Sequence, residues 1–135
     1  MPVNSLRKHE ILRKKQLITT LFRSRRSLKG GYVKIVYAHL DTGAEHRRAP
    51  AAVLFAVGRK SFRDAVSRNR IKRLLREAYR HEKHILIQNQ GMIDGERSSR
   101  TLCLAFIYSG SGGGIPALAD LQREISRLLC TIKKS

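Results

Sequence analysis

The sequence predicts an α+β domain, in which a small and mostly antiparallel sheet packs with three helices in the order helix, strands, helix, strand, helix. Three observations support this class. The chain has 135 residues, which suits a single domain over residues 1–135 with a modest core. Hydrophobic residues make up 41% and charged residues 28%, within the range of globular proteins. Segments of alternating apolar residues are interleaved with segments whose apolar residues recur every three or four positions.

The first helix is predicted between Ile11 and Phe22, where Ile18 and Phe22 share an apolar face. The residues before it, 1–10, are polar and basic, and we expect them to be flexible. After the helix the chain is basic as far as Gly30-Gly31, a pair that ends helical structure and leads into a strand.

Three strands are predicted from alternating or continuous apolar residues. Residues 32–40 and 51–57 form two of them, and we expect these two to pair antiparallel because the connection between them is short. Residues 101–108 are apolar on both faces, which is typical of a buried strand in the interior of a sheet. The preceding residues, 88–100, lack periodicity and contain glycine and serine, so they are predicted to form a mobile loop.

The last helix is predicted to follow Pro116, which suits the first turn of a helix. Its apolar residues form one stripe, composed of Leu118, Leu121, Ile125, Leu128, Leu129 and Ile132. This stripe is typical of a helix that packs on the core. The glycine-rich residues 109–114 before it lack the Lys-Ser or Lys-Thr pair of a phosphate-binding loop, and we interpret them as a flexible turn.

The rest of the chain is organised around residues 61–84, SFRDAVSRNRIKRLLREAYRHEKH, in which basic residues are threaded through a helical apolar pattern. At about 100° of rotation per residue, one side is apolar and consists of Ile71, Leu74, Leu75, Ala78 and Tyr79. The opposite side is polar and basic and consists of Asn69, Lys72, Arg73, Arg76 and Arg80. One side of this helix is therefore expected to pack, while the other is available to bind a partner.

The start of this helix allows two interpretations. Ser61 and Asp64 have the spacing of a capping box, which places the first helical residue near Phe62. Phe62 is out of phase with the apolar side, however. The first turn is alternatively a separate turn, with Ser67 or Asn69 as the cap of the main helix.

The charge of the chain indicates the class of its partner. The formal net charge is +18 and the pI is near 11.1. Such a charge attracts phosphate polymers and releases their counterions, so nucleic acid is the expected partner. A solvated helix face normally interleaves Glu with Lys, but after Asp64 only Glu77 and Glu82 interrupt the basic run. An anionic membrane is a minor alternative that requires a lipid-facing apolar patch, and the sequence lacks one.

The cysteines and the hydropathy pattern favour a cytoplasmic protein. Cys103 and Cys130 lie far apart within apolar patterns, and we interpret them as reduced core residues. The sequence has no stretch of about eighteen apolar residues that would span a membrane.

A protein-only nuclease is poorly supported by the residues. It would need acidic residues or histidines gathered around a metal ion, but the chain has only 10 Asp and Glu, and they are scattered. Glu77, His81 and His84 fall on one helix face. We interpret them as solvated polar residues at a helix end, with metal binding as a remote alternative.

Residues 65–80, AVSRNRIKRLLREAYR, resemble the signature of the protein subunit of bacterial ribonuclease P. The Arg-Asn-Arg triplet stands together with a preceding Ala-Val and with the Ile-Lys-Arg, Arg-Glu, aromatic and Arg positions at the family's spacings. The resemblance extends to the first helix, an aromatic-bearing strand, a strand that ends in basic residues, and the late apolar strand and helix. It therefore covers most of the chain.

In that family an RNA subunit carries out magnesium-dependent hydrolysis that removes the 5′ leader of precursor tRNA. The resemblance implies the catalytic RNA and precursor tRNA as partners, Mg²⁺ with the RNA subunit rather than at a protein site, and no catalytic residue in the protein. The residues that match the family's contacts to the catalytic RNA are Arg68, Asn69, Arg70, Lys72, Arg73 and Arg76. The residues that match its leader-binding cleft, between the first helix and the sheet, are Ile18, Phe22, Tyr37, Arg59 and Lys60.

Alternatives to these assignments stay open. Phe22 and Tyr37 could equally be plain core residues. Ile18 departs from the aromatic residue that the family often has there, and it could not stack on a base as a ring does. A ribosomal or other structural RNA-binding protein fits the size and charge equally well, but it has no need of exposed Ile18, Phe22 and Tyr37 beside a basic rim.

Overall fold

The computed structural model describes residues 10–24, 26–41, 51–58, 62, 64–86, 100–110 and 115–134. Its helices are α1 (Lys15–Arg23), α2 (Ala65–Glu82) and α3 (Leu118–Lys134). Its strands are β1 (Ser27–Lys29), β2 (Val33–Asp41), β3 (Ala52–Val57) and β4 (Arg100–Tyr108). The predicted α+β class and the order of helices and strands are confirmed. Residues 88–99 of the loop predicted at 88–100, and residues 1–9 of the segment 1–10, lie outside the described residues, while Arg100 is already the first residue of β4.

The four strands form one mixed sheet in the order β1-β2-β4-β3. β4 pairs antiparallel with β2 and parallel with β3, so it lies in the interior as its two apolar faces predicted. The predicted pairing of β2 with β3 was wrong, because β4 lies between them. A strand that is apolar on both faces is most stable with a neighbour on each edge, and the α2 connection lets β4 return parallel to β3.

β1 is a short edge strand that the hydrophobic pattern did not predict. It forms an antiparallel hairpin with β2, with Leu28 opposite Ile35 and Lys29 opposite Lys34. Its residues suggest a basic connection, because they offer one apolar side chain and no alternation. A pair of glycines between two extended segments is a hairpin signal, and Gly30-Gly31 could have been used as one.

The sheet is covered on both faces, so the domain has three layers. Side chains of β2 alternate between the faces: Val33, Ile35 and Tyr37 join the larger core cluster, with residues of α2 and α3. Val36 joins a second cluster, which includes Leu21 of α1. Because successive strand residues point to opposite faces, α1 packs on one side of the sheet and α2 with α3 on the other.

The chain before α1 closes the outer edge of β3. The predicted helix over Ile11–Phe22 begins only at Lys15, because Ile11 forms a parallel bridge with Val53 instead. The Leu12 amide donates to the Val53 carbonyl oxygen at 2.8 Å. Edge strands expose unpaired backbone groups, and this bridge satisfies part of that edge. Local periodicity does not reveal such a bridge, because its partner is more than forty residues away in the sequence.

α1 crosses the sheet from the β3 edge toward β2. Its N-terminal end follows the bridge at Val53, and just after its C-terminal end the Ser24 hydroxyl donates to the Tyr37 carbonyl oxygen at 2.9 Å. Val53 and Tyr37 both pair with Leu104 in the register of the sheet. α1 therefore lies across the strands at the level of this row.

Glu124 of α3 holds the β1–β2 hairpin. Its carboxylate accepts hydrogen bonds from the amides of Gly31, Tyr32 and Val33, at 2.8, 2.9 and 2.6 Å. The backbone passes so close that a Cβ on Gly30 would overlap this carboxylate. Charge-assisted hydrogen bonds of this kind are stronger than neutral ones, so the contact fixes α3 against the turn.

A buried ion pair joins the segment before α1 to the end of α2. Lys83 Nζ donates to the two carboxylate oxygens of Glu10 at 2.9 and 3.0 Å, and the two side chains are only 5% and 3% exposed. The hydroxyl of Tyr79, which is also buried, has no hydrogen-bond partner among the described residues. Burial, reinforced by the charge of Glu10, raises the pKa of Tyr79. The hydroxyl therefore stays neutral at physiological pH.

The two cysteines differ in environment. Cys103 is a buried core residue as predicted, and burial raises the pKa of its thiol to about 11. The prediction of a core position for Cys130 was wrong, since this residue is exposed on α3. It stands next to the buried Leu129 in the sequence, so an apolar neighbourhood alone did not reveal its side of the helix. Both cysteines are free thiols.

We predict that Lys83→Met lowers the free energy of unfolding by about 3–5 kcal/mol, because it leaves the Glu10 carboxylate buried without its cation. The double variant Glu10→Leu/Lys83→Met, which buries no charge, should recover most of that loss. Urea unfolding followed by circular dichroism measures both. Lys15→Met at an exposed position is the control, and equal midpoints for Lys83→Met and Lys15→Met would contradict the role of the pair.

Candidate RNA-binding surfaces

The basic helix α2 begins at Ala65 and is capped by Asp64. The Asp64 carboxylate accepts a hydrogen bond from the Ser67 amide at 2.9 Å. The predicted start near Phe62 was wrong, and neither Ser67 nor Asn69 is the cap. Ser61, the other half of the predicted capping box, lies outside the described residues. Hydrogen bonds from Ser67 hold the pKa of Asp64 below its ordinary value.

The two sides of α2 are as the periodicity predicted. The apolar side is fully buried at Ile71, Leu75, Ala78 and Tyr79, and Leu74 packs at its margin. The opposite side is open to solvent at Asn69, Arg73 and Arg76 and half-exposed at Lys72 and Arg80, and Arg70, which was not predicted to lie there, is also exposed. One side of the helix thus packs in the core and the other presents a row of cations, Arg70, Arg73 and Arg76 with Lys72 at its margin, which we call the α2 basic face.

Arg68 has a different environment from the residues of the α2 basic face. Its Nη1 donates to the carbonyl oxygen of Phe62 at 2.9 Å, and the side chain is half-buried. The ring of Phe62 lies 5.8 Å from that of Tyr108 at the end of β4. Arg68 therefore holds the segment that enters α2 against the helix, in addition to any contact it makes with a partner.

Glu77, an acidic residue near the end of α2, is paired with neighbouring basic side chains. Glu77 forms an ion pair with Arg80 and lies 3.2 Å from His81 Nε2. The bond from Arg80 lowers the pKa of Glu77, and the bond to Glu77 raises that of Arg80. His84 Nδ1 lies 3.0 Å from the His81 carbonyl oxygen. Within the described part of the chain, no group of three or more His, Cys, Asp or Glu is arranged to hold a metal ion.

The second candidate surface lies on the α1 face of the sheet. Ile18 is half-buried and packs at the margin of the cluster around Leu21. Phe22 follows the fully buried Leu21, yet its own side chain is 45% exposed. An exposed aromatic ring on a helix that otherwise packs well is available for stacking with a ligand.

Tyr37 is not brought together with Ile18 and Phe22. Its side chain is 9% exposed and packs in the core cluster with α2 and α3, on the opposite face of the sheet. Its neighbours Val36 and Ala38 face α1 instead. Successive side chains of a strand point to opposite faces of the sheet. A match to the family that is displaced by one residue therefore predicts the wrong face. Arg59 and Lys60 follow β3 in the sequence and lie outside the described residues.

Lys29 and Lys34 were not among the candidate binding residues predicted from the sequence. Both are exposed, and the register places them directly opposite each other in the β1–β2 hairpin. Their spacing around Gly30-Gly31 was the available signal, since a hairpin turn between them brings the two side chains to one face.

Comparison with known proteins identifies relatives over nearly the whole chain. Residues 6–101 match the family model described as Ribonuclease P. The ribonuclease P protein component of Chlorobium phaeobacteroides is 47% identical over 133 residues, which cover 98% of this chain and 91% of that protein. The protein of the same description from Chlorobaculum tepidum is 40% identical over 126 residues, covering 93% and 81%.

Solved structures share the fold at low sequence identity. The Staphylococcus aureus RNase P protein superposes with a TM-score of 0.62 at 16% identity, covering 92% of this chain and 95% of that one. The RNase P protein from Thermotoga maritima gives a TM-score of 0.62 at 18% identity, covering 90% and 96%. None of the helices in the described ranges is both long and apolar enough to cross a membrane.

We predict that Asp64→Ala lowers the melting temperature at neutral pH, because the Ser67 amide loses its acceptor, while Asp64→Asn keeps most of it. The folded-state pKa of Asp64 is depressed, so its contribution is present above the ordinary value of 3.8 and is lost as the pH falls through the lower folded value. Melting curves from pH 7 to strongly acidic pH measure this. A constant difference between wild type and Asp64→Ala over that range would contradict the assignment.

Proposed function

The chain belongs to the bacterial ribonuclease P protein family, and we propose that its two candidate surfaces bind two different RNAs. It is a subunit of a tRNA-processing ribonuclease. In the proposal, the α2 basic face binds the catalytic RNA, and the α1 face of the sheet binds the single-stranded 5′ leader of precursor tRNA. The protein acts by holding the substrate on the RNA enzyme, and the RNA subunit with its magnesium ions carries out the hydrolysis.

The α2 basic face supports the first half of the proposal. Arg70, Arg73 and Arg76 are exposed along one side of a helix whose other side is anchored in the core. A rigid row of guanidinium groups suits a folded RNA, because each group can donate two hydrogen bonds to a phosphate. Asn69 and Lys72 flank this row, and we include Arg68, which lies nearer the buried side of the helix, as a contact at its margin.

The exposed ring of Phe22 supports the second half of the proposal, in which the leader binds on the α1 face of the sheet. A single strand offers unstacked bases, and each base that stacks on an aromatic side chain contributes roughly 1–3 kcal/mol. Ile18, one turn earlier on α1, adds apolar contact area without a ring. We propose that Arg59 and Lys60 supply cations near the end of β3. Tyr37 is buried on the other face, so we assign it to the core and not to stacking.

The proposal is tested by cleavage of a 5′-labelled precursor tRNA at low magnesium, with the protein alone, the catalytic RNA alone, and both. We expect efficient cleavage at the mature 5′ end only with both. If the mixture cleaves no better than the RNA alone, a structural RNA-binding protein is favoured instead.

Arg70→Ala/Arg73→Ala should weaken binding to the catalytic RNA and reduce the salt dependence of log K by about 0.7–0.9 for each phosphate that is no longer neutralised. Arg123→Ala/Arg127→Ala, which removes two exposed cations from α3, is the matched control.

We predict that Phe22→Ala weakens binding of precursor tRNA to the assembled enzyme by roughly fivefold or more, because one base loses its stacking partner. Binding of mature tRNA, which has no leader, should change little. Phe22→Tyr keeps a ring and should bind as wild type does. Cys130→Ala, at an exposed residue of α3, controls for loss of an exposed side chain elsewhere on the surface. Equal losses for precursor and mature tRNA would remove the leader from the α1 face.

A further inference from the structure

We propose that Lys29 and Lys34, which we call the lysine pair, bind phosphates of the 5′ leader and extend its path across the sheet to the β1 edge. This inference rests on the proposed function, because it takes the leader to lie on the α1 face. It adds a second contact beyond Phe22 and commits to one ligand, a single-stranded RNA. The register of the strands, the burial of their side chains and the charges on the hairpin support it.

Among the described residues, α1 covers only part of its face of the sheet. It crosses at the level of Val53, Leu104 and Tyr37. A second row of paired residues lies three residues further along the strands, about 10 Å from the first. It has one member on each of the four strands. The members of this row, which we call the open row, are Ala56 of β3, Ile107 of β4, Lys34 of β2 and Lys29 of β1.

Burial changes sharply between α1 and the open row. Cys103 and Ala105 of β4 are fully buried next to α1, whereas Ile107 on the same face is half-buried. Ala56 is also half-buried, and the two lysines are exposed. α1 therefore forms one wall of a groove, whose floor is apolar in the middle and cationic at the β1 edge.

The lysine pair is unfavourable for the fold by itself. Side chains directly opposite in an antiparallel pair have Cβ atoms about 5 Å apart, and like charges there are destabilising. Neither lysine forms an ion pair with any of the described residues. Glu124, the acid that contacts this hairpin, directs its carboxylate to the amides of Gly31, Tyr32 and Val33 instead.

Edge protection does not account for both lysines. A lysine on an edge strand discourages pairing with another sheet, and that explanation suits Lys29 of β1. Lys34 stands on β2, which has a neighbour on each side, so it protects no edge. A bound polyanion explains the two together, since a phosphate between them would relieve their repulsion.

The apolar floor identifies the kind of polyanion. Duplex RNA hides its bases and offers mainly phosphates and ribose hydroxyls, whereas a single strand can place its bases on an apolar surface. Ile107 and Ala56 provide such a surface between the lysine pair and the end of β3. The groove thus suits a strand whose bases contact the floor while its phosphates reach the lysines.

The test compares Lys29→Ala/Lys34→Ala with wild type in the assembled enzyme, using precursor tRNAs with short and long leaders and mature tRNA. We expect the variant to bind the long-leader substrate roughly two- to thirtyfold more weakly, the range expected for two exposed ionic contacts. Binding of mature tRNA and of the shortest leader should not change. The salt slope for the long leader should fall by about 1.4, for two phosphates at about 0.7 each.

Three controls separate a binding role from a structural one. Lys29→Arg/Lys34→Arg keeps the charge and should restore binding. Arg123→Ala/Arg127→Ala removes the same charge from α3 and should not affect leader dependence. The melting temperature of Lys29→Ala/Lys34→Ala should equal or exceed that of wild type, because a repulsive pair is removed.

The failures of the two proposals are distinguishable. If wild type binds precursor and mature tRNA equally, leader binding on the α1 face is wrong and the inference falls with it. If wild type prefers the precursor but Lys29→Ala/Lys34→Ala loses the same affinity for every substrate, leader binding stands and the lysine pair is not part of it. The same conclusion follows if Arg123→Ala/Arg127→Ala reproduces the loss for the long leader.

Discussion

The burial of β4 is the constraint on which the rest of this structure depends. Leu104 and Phe106 on one face and Cys103 and Ala105 on the other are all fully buried. A strand of this kind needs hydrogen-bonding neighbours on both edges and helices on both faces, because neither face tolerates water. The positions of β2 and β3, of α1 on one side, and of α2 with α3 on the other all follow from this.

Covering the sheet on both sides also separates the two candidate surfaces. The α2 basic face looks away from the sheet on one side, while Phe22 and the open row lie on the other. The Glu10–Lys83 ion pair connects these sides, since Glu10 precedes α1 and Lys83 follows α2. The proposed function requires two RNA-binding surfaces at a constant separation, and a buried ion pair of this kind would contribute to that rigidity.

The high positive charge is distributed in a way that serves binding more than folding. A charge of +18 on 135 residues repels itself, and the lysine pair is a local case of that repulsion. Several of the acids that the structure describes have local tasks: Asp64 caps α2, Glu124 holds the hairpin and Glu77 pairs with Arg80. These acids do not neutralise the exposed arginines of the α2 basic face.

Features that depend on neighbours within a few residues along the chain could be predicted from the sequence. The two sides of α2, the buried character of β4 and the stripe of α3 follow from periodicity, and the signature around Arg68, Asn69 and Arg70 indicated the family. Features that depend on distant partners were settled only by the tertiary structure. The bridge of Ile11 to Val53 shortened α1, the insertion of β4 separated β2 from β3, and the alternation of β2 turned Tyr37 into the core. The register of the β1–β2 hairpin follows from its own turn, but the order and pairing of strands far apart in the sequence are fixed by contacts that no local pattern reveals.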